Sequence, residues 1–290
     1  MANRGILLVM AAALCWGLSG GIAGVLIAKG WDSVVISFYR GAIGLLFVLV
    51  WLALKPRCSG FASLWLWFWS VIAGLGVAGN FYFYFFSIAE SSVAVAATLM
   101  YCAPIFVYLV SFMLRWEYAT PMKWLAIVLV MIGIVLLTRV YAVDAGGVTP
   151  LGVITGLLSG ASLALFIFGF KYAVLHGSAP AILTIAFSTL IVILGSIMNA
   201  EQAGRVLSSL DWPLLAVLGV LGGGVSFIFY IIGLRQTAPA VASIVAMVEP
   251  VTASLFGVII LGEVLVGTQM LGMAVILLTV TALGVNSNQA

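Results

Sequence analysis

Two residues of ionisable type, Arg40 and Glu249, stand inside long apolar stretches. A charge at bilayer depth costs about 2.5–3.5 kcal/mol even on insertion scales, so such residues face a cavity or a partner. Glu249 lies about ten residues into its stretch, roughly 15 Å along a helix, which puts it near a membrane midplane. A carboxyl there is a candidate proton carrier, and a structural carboxylic acid bonded to a neighbouring helix is the alternative. Arg40 lies about seven residues into its own stretch, some 10 Å from the end. A structural or gating role and an anion-binding role for a carboxylate both stand for it. Asn80, Tyr82, Tyr84, Tyr101, Ser226 and Tyr230 are polar or amphipathic groups at mid-stretch, and such groups need partners inside a membrane. With Trp16, Phe227 and Glu249 they form the candidate cavity lining, which suits ligands that are partly apolar with a polar or zwitterionic end.

Other chemistry finds little footing. His176 is the one histidine and falls in a loop, and no Ser/His/Asp set lies within the apolar stretches. Cys15, Cys58 and Cys102 lack metal-type spacing and read as packing residues, so neither a metal nor a cofactor is expected. An intramembrane enzyme, which needs positioned acids, bases or metal ligands, is disfavoured. A passive channel would call for charged or carbonyl-lined constrictions.

The elements that must hold these residues follow from composition. The chain has 290 residues, 65% apolar and 7% charged, against about 25% charged in soluble domains. It is expected to be an all-α integral membrane protein, because the apolar runs are continuous rather than alternating and are long enough to cross as helices. Ten spans are predicted, at 5–27, 33–54, 63–87, 92–114, 121–138, 150–172, 179–199, 212–234, 239–261 and 267–285. The first run extends from about Gly5 to Ala28, too long for the roughly 7–15 residues of a signal h-region, so it reads as a retained span. Trp65, Trp67, Trp69, Trp116, Trp124 and Trp212 fall near span ends, as an interfacial belt requires.

Side one of the predicted topology collects Arg4, Lys55, Arg57, Arg115, Lys123, Lys171 and Arg235, and the other holds Lys29, Arg139 and Arg205. Seven against three puts both termini in the cytoplasm. The net charge of +3 is thus a topology signal, and with no basic stripe nucleic acid is excluded as a partner.

The chain also repeats itself. Pro104 and Glu117 recur as Pro250 and Glu263 at an offset of 146 (250 − 104 = 263 − 117 = 146), and Asn80-Phe81-Tyr82-Phe83-Tyr84 lies over Ser226-Phe227-Ile228-Phe229-Tyr230. Five spans precede the polar break Arg139 to Thr149 and five follow it, so residues 1–140 and 150–290 are expected to form two inverted five-helix repeats. Pro104 and Pro250 are mid-span kinks, structural or gating elements whose freed carbonyls near Met100 and Ala246 need partners. Glycines four apart, at Gly17 and Gly21, at Gly152, Gly156 and Gly160, and at Gly219 and Gly223, point to close helix packing. Gly222-Gly223-Gly224 also admits a second reading, as a thinned point beside a substrate path.

With Trp16-Gly17, Phe38-Tyr39-Arg40, Ala89 and the duplicated Pro-x12-Glu element, the chain resembles the drug/metabolite transporter superfamily in its ten-helix, EamA-type branch, over about residues 5–285. That resemblance implies inverted five-helix halves, a central cavity lined mainly by helices 1, 3, 4, 6, 8 and 9, peripheral fifth and tenth helices, and alternating access. Among its members, the aromatic-lined bacterial amino-acid exporters of the YddG type look most similar in composition. The resemblance implies a secondary transporter of the bacterial inner membrane that exports small neutral metabolites, amino acids foremost, with protons as a possible coupling ion and no obligate protein partner. An exporter of lipophilic cationic drugs is the alternative. The two copies differ at Trp16 and Leu163, Arg40 and Phe187, and Ala103 and Glu249, as a site for one asymmetric molecule would permit.

Overall fold

The computed structural model describes residues 2–54, 60–115, 120–144 and 148–286. Lys55, Arg57, Cys58, Trp116 and Glu117, which entered the topology, cysteine, belt and repeat readings, lie outside them. The described chain is helical, in the order α1 (Ala2–Ala28), α2 (Ser33–Leu54), α3 (Leu64–Glu90), α4 (Val93–Met113), α5 (Pro121–Thr138), α6 (Pro150–Ala173), α7 (Ala179–Ile197), α8 (Trp212–Leu234), α9 (Pro239–Leu261) and α10 (Gly267–Asn286). A short surface helix, Ala200–Arg205, lies between α7 and α8.

The helices start where side chains satisfy their first N–H groups. Ser63, Ser92, Thr120, Thr149 and Ser178 accept from Leu66, Val95, Lys123, Gly152 and Ala181, and Pro121, Pro150 and Pro180 fill first-turn positions that need no N–H. α5 stops at Arg139 and α9 at Gly262, both left-handed (φ 54° and 70°).

Packing exchanges the two sequence halves. α3 packs on α6 as α1 packs on α8, α1 meets α9 as α4 meets α6, and α2 meets α8 as α3 meets α7. The predicted glycine rows sit at these crossings: Gly17 and Gly21 against α9, Gly156 and Gly160 against α4, and Gly219 and Gly223 against α2. α5 and α10 cross each other at Gly133 and Gly272. Each half contributes five spans, an odd number, so one half runs through the bilayer upside down relative to the other. The central cavity is lined from α1, α2, α3, α6, α8 and α9, so α2 takes the place that the resemblance gave to helix 4.

Candidate functional site

Both kinked helices are interrupted, at matching places. α4 divides into Val93–Met100 and Ala103–Met113, and α9 into Pro239–Val245 and Val248–Leu261. Pro104 and Pro250 have no N–H to return to Met100 and Ala246, so the chain turns there with tighter bonds. Cys102 N donates to Leu99 O at 3.2 Å, and Glu249 N to Ala246 O at 2.9 Å. Gly160 of α6 lies against the Leu99 and Met100 carbonyls; a Cβ there would stand 2.8 and 3.1 Å from their oxygens. The second break places Glu249 in the first turn of the half-helix Val248–Leu261, where the helix dipole favours a carboxylate.

Glu249 faces a central cavity lined also by Trp16, Arg40, Val77, Asn80, Phe81, Leu163, Phe166 and Phe227. Arg40, Tyr84 and Tyr101 lie within its electrostatic reach. Arg40 Nε donates to Gly222 O at 3.1 Å, and its guanidinium carbon sits 5.1 Å from the centre of the Phe81 ring. Gly222 belongs to a π-helical turn, Val220–Val225, inside α8. Its carbonyl carries a second side-chain donor, Ser226 Oγ at 2.9 Å. Around the other wall Trp16 lies 5.3 Å from Phe227, 5.0 Å from Tyr230 and 6.0 Å from Phe166, ring centre to ring centre. The cavity measures about 40 Å³, room for about three waters.

The sequence-derived residues fall into three groups. Trp16, Asn80, Phe227 and Glu249 line the cavity, and Arg40, placed among the gating or structural residues, lines it too. Tyr84, Tyr101, Ser226 and Tyr230 are not part of its lining: Tyr84 is half-buried and the other three are buried, as are Pro104 and Pro250 at the breaks. Tyr82 does not reach it: the ring is 40% exposed on the outward face of α3 and packs on Phe83 and Phe86. Two residues along a helix is a turn of about 200°, so Tyr82 cannot share a face with both Asn80 and Tyr84.

Asn80 has a further task. Its amide donates to Ser159 O at 3.1 Å and Ser159 Oγ at 3.0 Å, and Ser159 Oγ donates back to Asn80 O, clasping α3 to α6. The sequence reading missed Val77, Phe81, Leu163 and Phe166 as lining residues. Val77 and Phe81 stand at −3 and +1 from Asn80, one helical face, and that spacing could have found them. Among the described residues no three His, Cys, Asp or Glu side chains gather as a metal site.

The two ends of the bundle are closed by different bonds. At the α1–α2 end, Lys29 and Asp211 form an ion pair and Trp31 Nε1 donates to Asp211 Oδ2 at 3.0 Å. Gln202 bridges Asp32 N and Gly30 O, and Tyr39 OH donates to Ala203 O at 2.8 Å. The hydrogen bonds from Lys29 and Trp31 hold the Asp211 carboxyl below the usual carboxylate range. At the other end Lys171 Nζ donates to Leu234 O and Thr237 O, both at 2.8 Å, and Arg235 donates to Gly177 O at 3.1 Å.

Comparison with known proteins matches this architecture to a family. The model of the EamA-like transporter family matches the chain twice, over residues 3–139 and 150–285. An "Uncharacterized transporter" of Archaeoglobus fulgidus is 31% identical over 191 residues, 66% of this chain and 67% of that protein. A solved structure titled "Crystal structure of protein" superposes with a TM-score of 0.76 over 95% of this chain and 94% of its own, at 17% identity, a likeness of fold. With nine helices long and apolar enough to cross a membrane and a shorter tenth among the described residues, and a family match over both halves, the chain is a multi-pass membrane protein that belongs to the EamA-like transporter family.

Proposed function

We propose that the protein is a secondary transporter of the bacterial inner membrane that exports small neutral metabolites, amino acids with hydrophobic or aromatic side chains foremost, by alternating access of two inverted halves, residues 1–140 and 150–290. The observation that carries this reading is the pairing of Glu249 and Arg40 on one cavity whose remaining walls are aromatic and aliphatic. A carboxylate and a guanidinium complement the ammonium and carboxylate of a zwitterion, and ring faces suit an apolar side chain. Arg40 uses one of its five donors on Gly222 O, which leaves the forked end for an anion. The distribution of basic residues, seven against three, supports termini on the cytoplasmic side. Glu249 is the group proposed to exchange a proton during the cycle.

Glu249 among aromatic rings supports a second reading, export of lipophilic cations, in which the carboxylate is the counter-charge and the rings supply cation–π contacts. Proteoliposomes loaded with labelled L-phenylalanine or with a quaternary ammonium dye separate the two. Movement of phenylalanine is the expected result, and movement of the dye alone overturns the amino-acid reading.

A further inference from the structure

Polar atoms buried in a membrane bundle need partners, and in this one nearly all have them. Ser19 Oγ donates to Trp16 O, Ser159 to Asn80 O, Ser226 to Gly222 O and Thr252 to Val248 O. Even Tyr108, 1% exposed, has its hydroxyl bonded, to Thr120 N at 3.0 Å. Among the described residues three buried side-chain polar atoms lack a partner: Trp16 Nε1, Tyr230 OH and Ser70 Oγ. Two of the three belong to rings only 5.0 Å apart, centre to centre, and Trp16 forms part of the cavity wall. Trp16 is 4% and Tyr230 0% exposed, so the lipid offers no relief.

A buried donor without an acceptor is destabilising, and phenylalanine would fill much of either space without that cost. An N–H and an O–H kept together under those conditions are explained if a partner reaches them in another state of the protein. The cavity measures about 40 Å³, and a solute that widened it would lie against Trp16.

We infer that the indole N–H of Trp16 and the hydroxyl of Tyr230 are specificity-determining donors that take an acceptor oxygen of the carried molecule, the carboxylate of an amino acid, once the cavity opens. This rests on the transport reading above. The donor pair adds direction to that reading: a site built to hydrogen-bond a substrate group discriminates sharply against analogues that lack it. Arg40 supplies charge toward the same end of the ligand, while Glu249 takes the amino end.

The test compares wild type, Tyr230→Phe and Trp16→Phe in proteoliposomes that exchange labelled L-phenylalanine, with L-phenylalaninamide and phenethylamine as competitors. Tyr230→Phe is nearly isosteric and removes only the hydroxyl. It should raise the KM for phenylalanine about tenfold, leave competition by phenethylamine, which has no acceptor oxygen, unchanged, and hold or raise the thermal unfolding midpoint. Competition by the amide that weakens in parallel identifies a carbonyl as sufficient, and competition that does not change assigns the donors to the carboxylate. An unchanged KM in both variants, or a lower midpoint with transport intact, overturns the inference and leaves the amino-acid reading standing. A wild type that exchanges no phenylalanine overturns both.

Discussion

The crossing of α2 and α8 is a close backbone approach beside Arg40, and a single methyl group there should part the two helices. A Cβ at Gly223 would stand 2.2 Å from Arg40 O and 3.2 Å from Gly44 Cα. Both are backbone atoms and cannot swing aside as a side chain could. Ordinary contact begins at 3.4 Å, so Gly223→Ala requires the helices to separate by about 1.2 Å (3.4 − 2.2). That displacement stretches the Arg40 Nε to Gly222 O bond from 3.1 Å to about 4.3 Å (3.1 + 1.2), beyond hydrogen-bond range. Overpacking costs about 1–3 kcal/mol and a lost bond to a charged group about 1.5–3 kcal/mol, so the expected destabilisation is roughly 2.5–6 kcal/mol. Against a total stability of about 5–15 kcal/mol this is large. Reversible unfolding of the purified protein in detergent micelles measures it, with Gly24→Ala as control. Gly24 is exposed with nothing within 4 Å of a Cβ, and alanine there should stabilise by up to about 1 kcal/mol through helix propensity. If Gly223→Ala unfolds within about 0.5 kcal/mol of wild type, the ordinary surface range, the close approach does not hold α2 against α8 and the reasoning fails.

Three further outcomes can be measured. Glu249→Gln should abolish export driven by a pH gradient while substrate exchange continues, and proton-driven transport at the wild-type rate would remove Glu249 from the coupling step. The Asp211 carboxyl is held below its ordinary value, so its contacts with Lys29 and Trp31 contribute fully above the unfolded pKa of about 3.9 and are lost as pH falls through the lower folded value. The emission difference between wild type and Trp31→Phe should therefore be flat from pH 8 to 5 and change only below about pH 4; a transition between pH 5 and 7 would contradict the contact. Tyr82→Ala should leave substrate preference unchanged in the proteoliposome competition assay, because the ring faces outward, whereas Tyr101→Ala, beside Glu249, should alter it; the reverse pattern would show that the cavity lies on the other face of α3.

What could be read from the sequence was whatever composition and backbone chemistry dictate. The described spans begin and end within about three residues of their expected places, because a hydrophobic run is bounded by groups that must leave the lipid. The interruptions of α4 and α9 were legible in Pro104 and Pro250, since a missing N–H acts locally whatever surrounds it. The orientation of Tyr82 was not legible. In a membrane helix the lipid face and the protein face are both apolar, so the periodicity that marks the inward face of a soluble helix is weak. The π-helical turn at Val220–Val225 was also hidden: three consecutive glycines announce close approach without stating a register. The contacts of Lys29 and Trp31 with Asp211 join residues 182 and 180 positions apart, a distance at which no local pattern survives.

The differences between the copies gain meaning from where the structure puts them. Arg40 holds the π-turn carbonyl of α8, while the matching stretch of the second copy carries no charge and Phe187 there packs its ring 5.1 Å from Phe227. Glu249 lies in the first turn after the break in α9, and Ala103 occupies the matching turn of α4. Had both copies kept the arginine, two guanidinium groups would compete for one small desolvated space, and two glutamates would do the same with opposite sign. One of each gives a cavity with one basic and one acidic group, a complement to the two ends of a zwitterion. The cation comes from α2 and the anion from α9, elements of different sequence halves, so any motion of one half against the other changes the separation of the two charges. A ligand bearing both signs can bridge that changing gap, and a singly charged one leaves one side uncompensated.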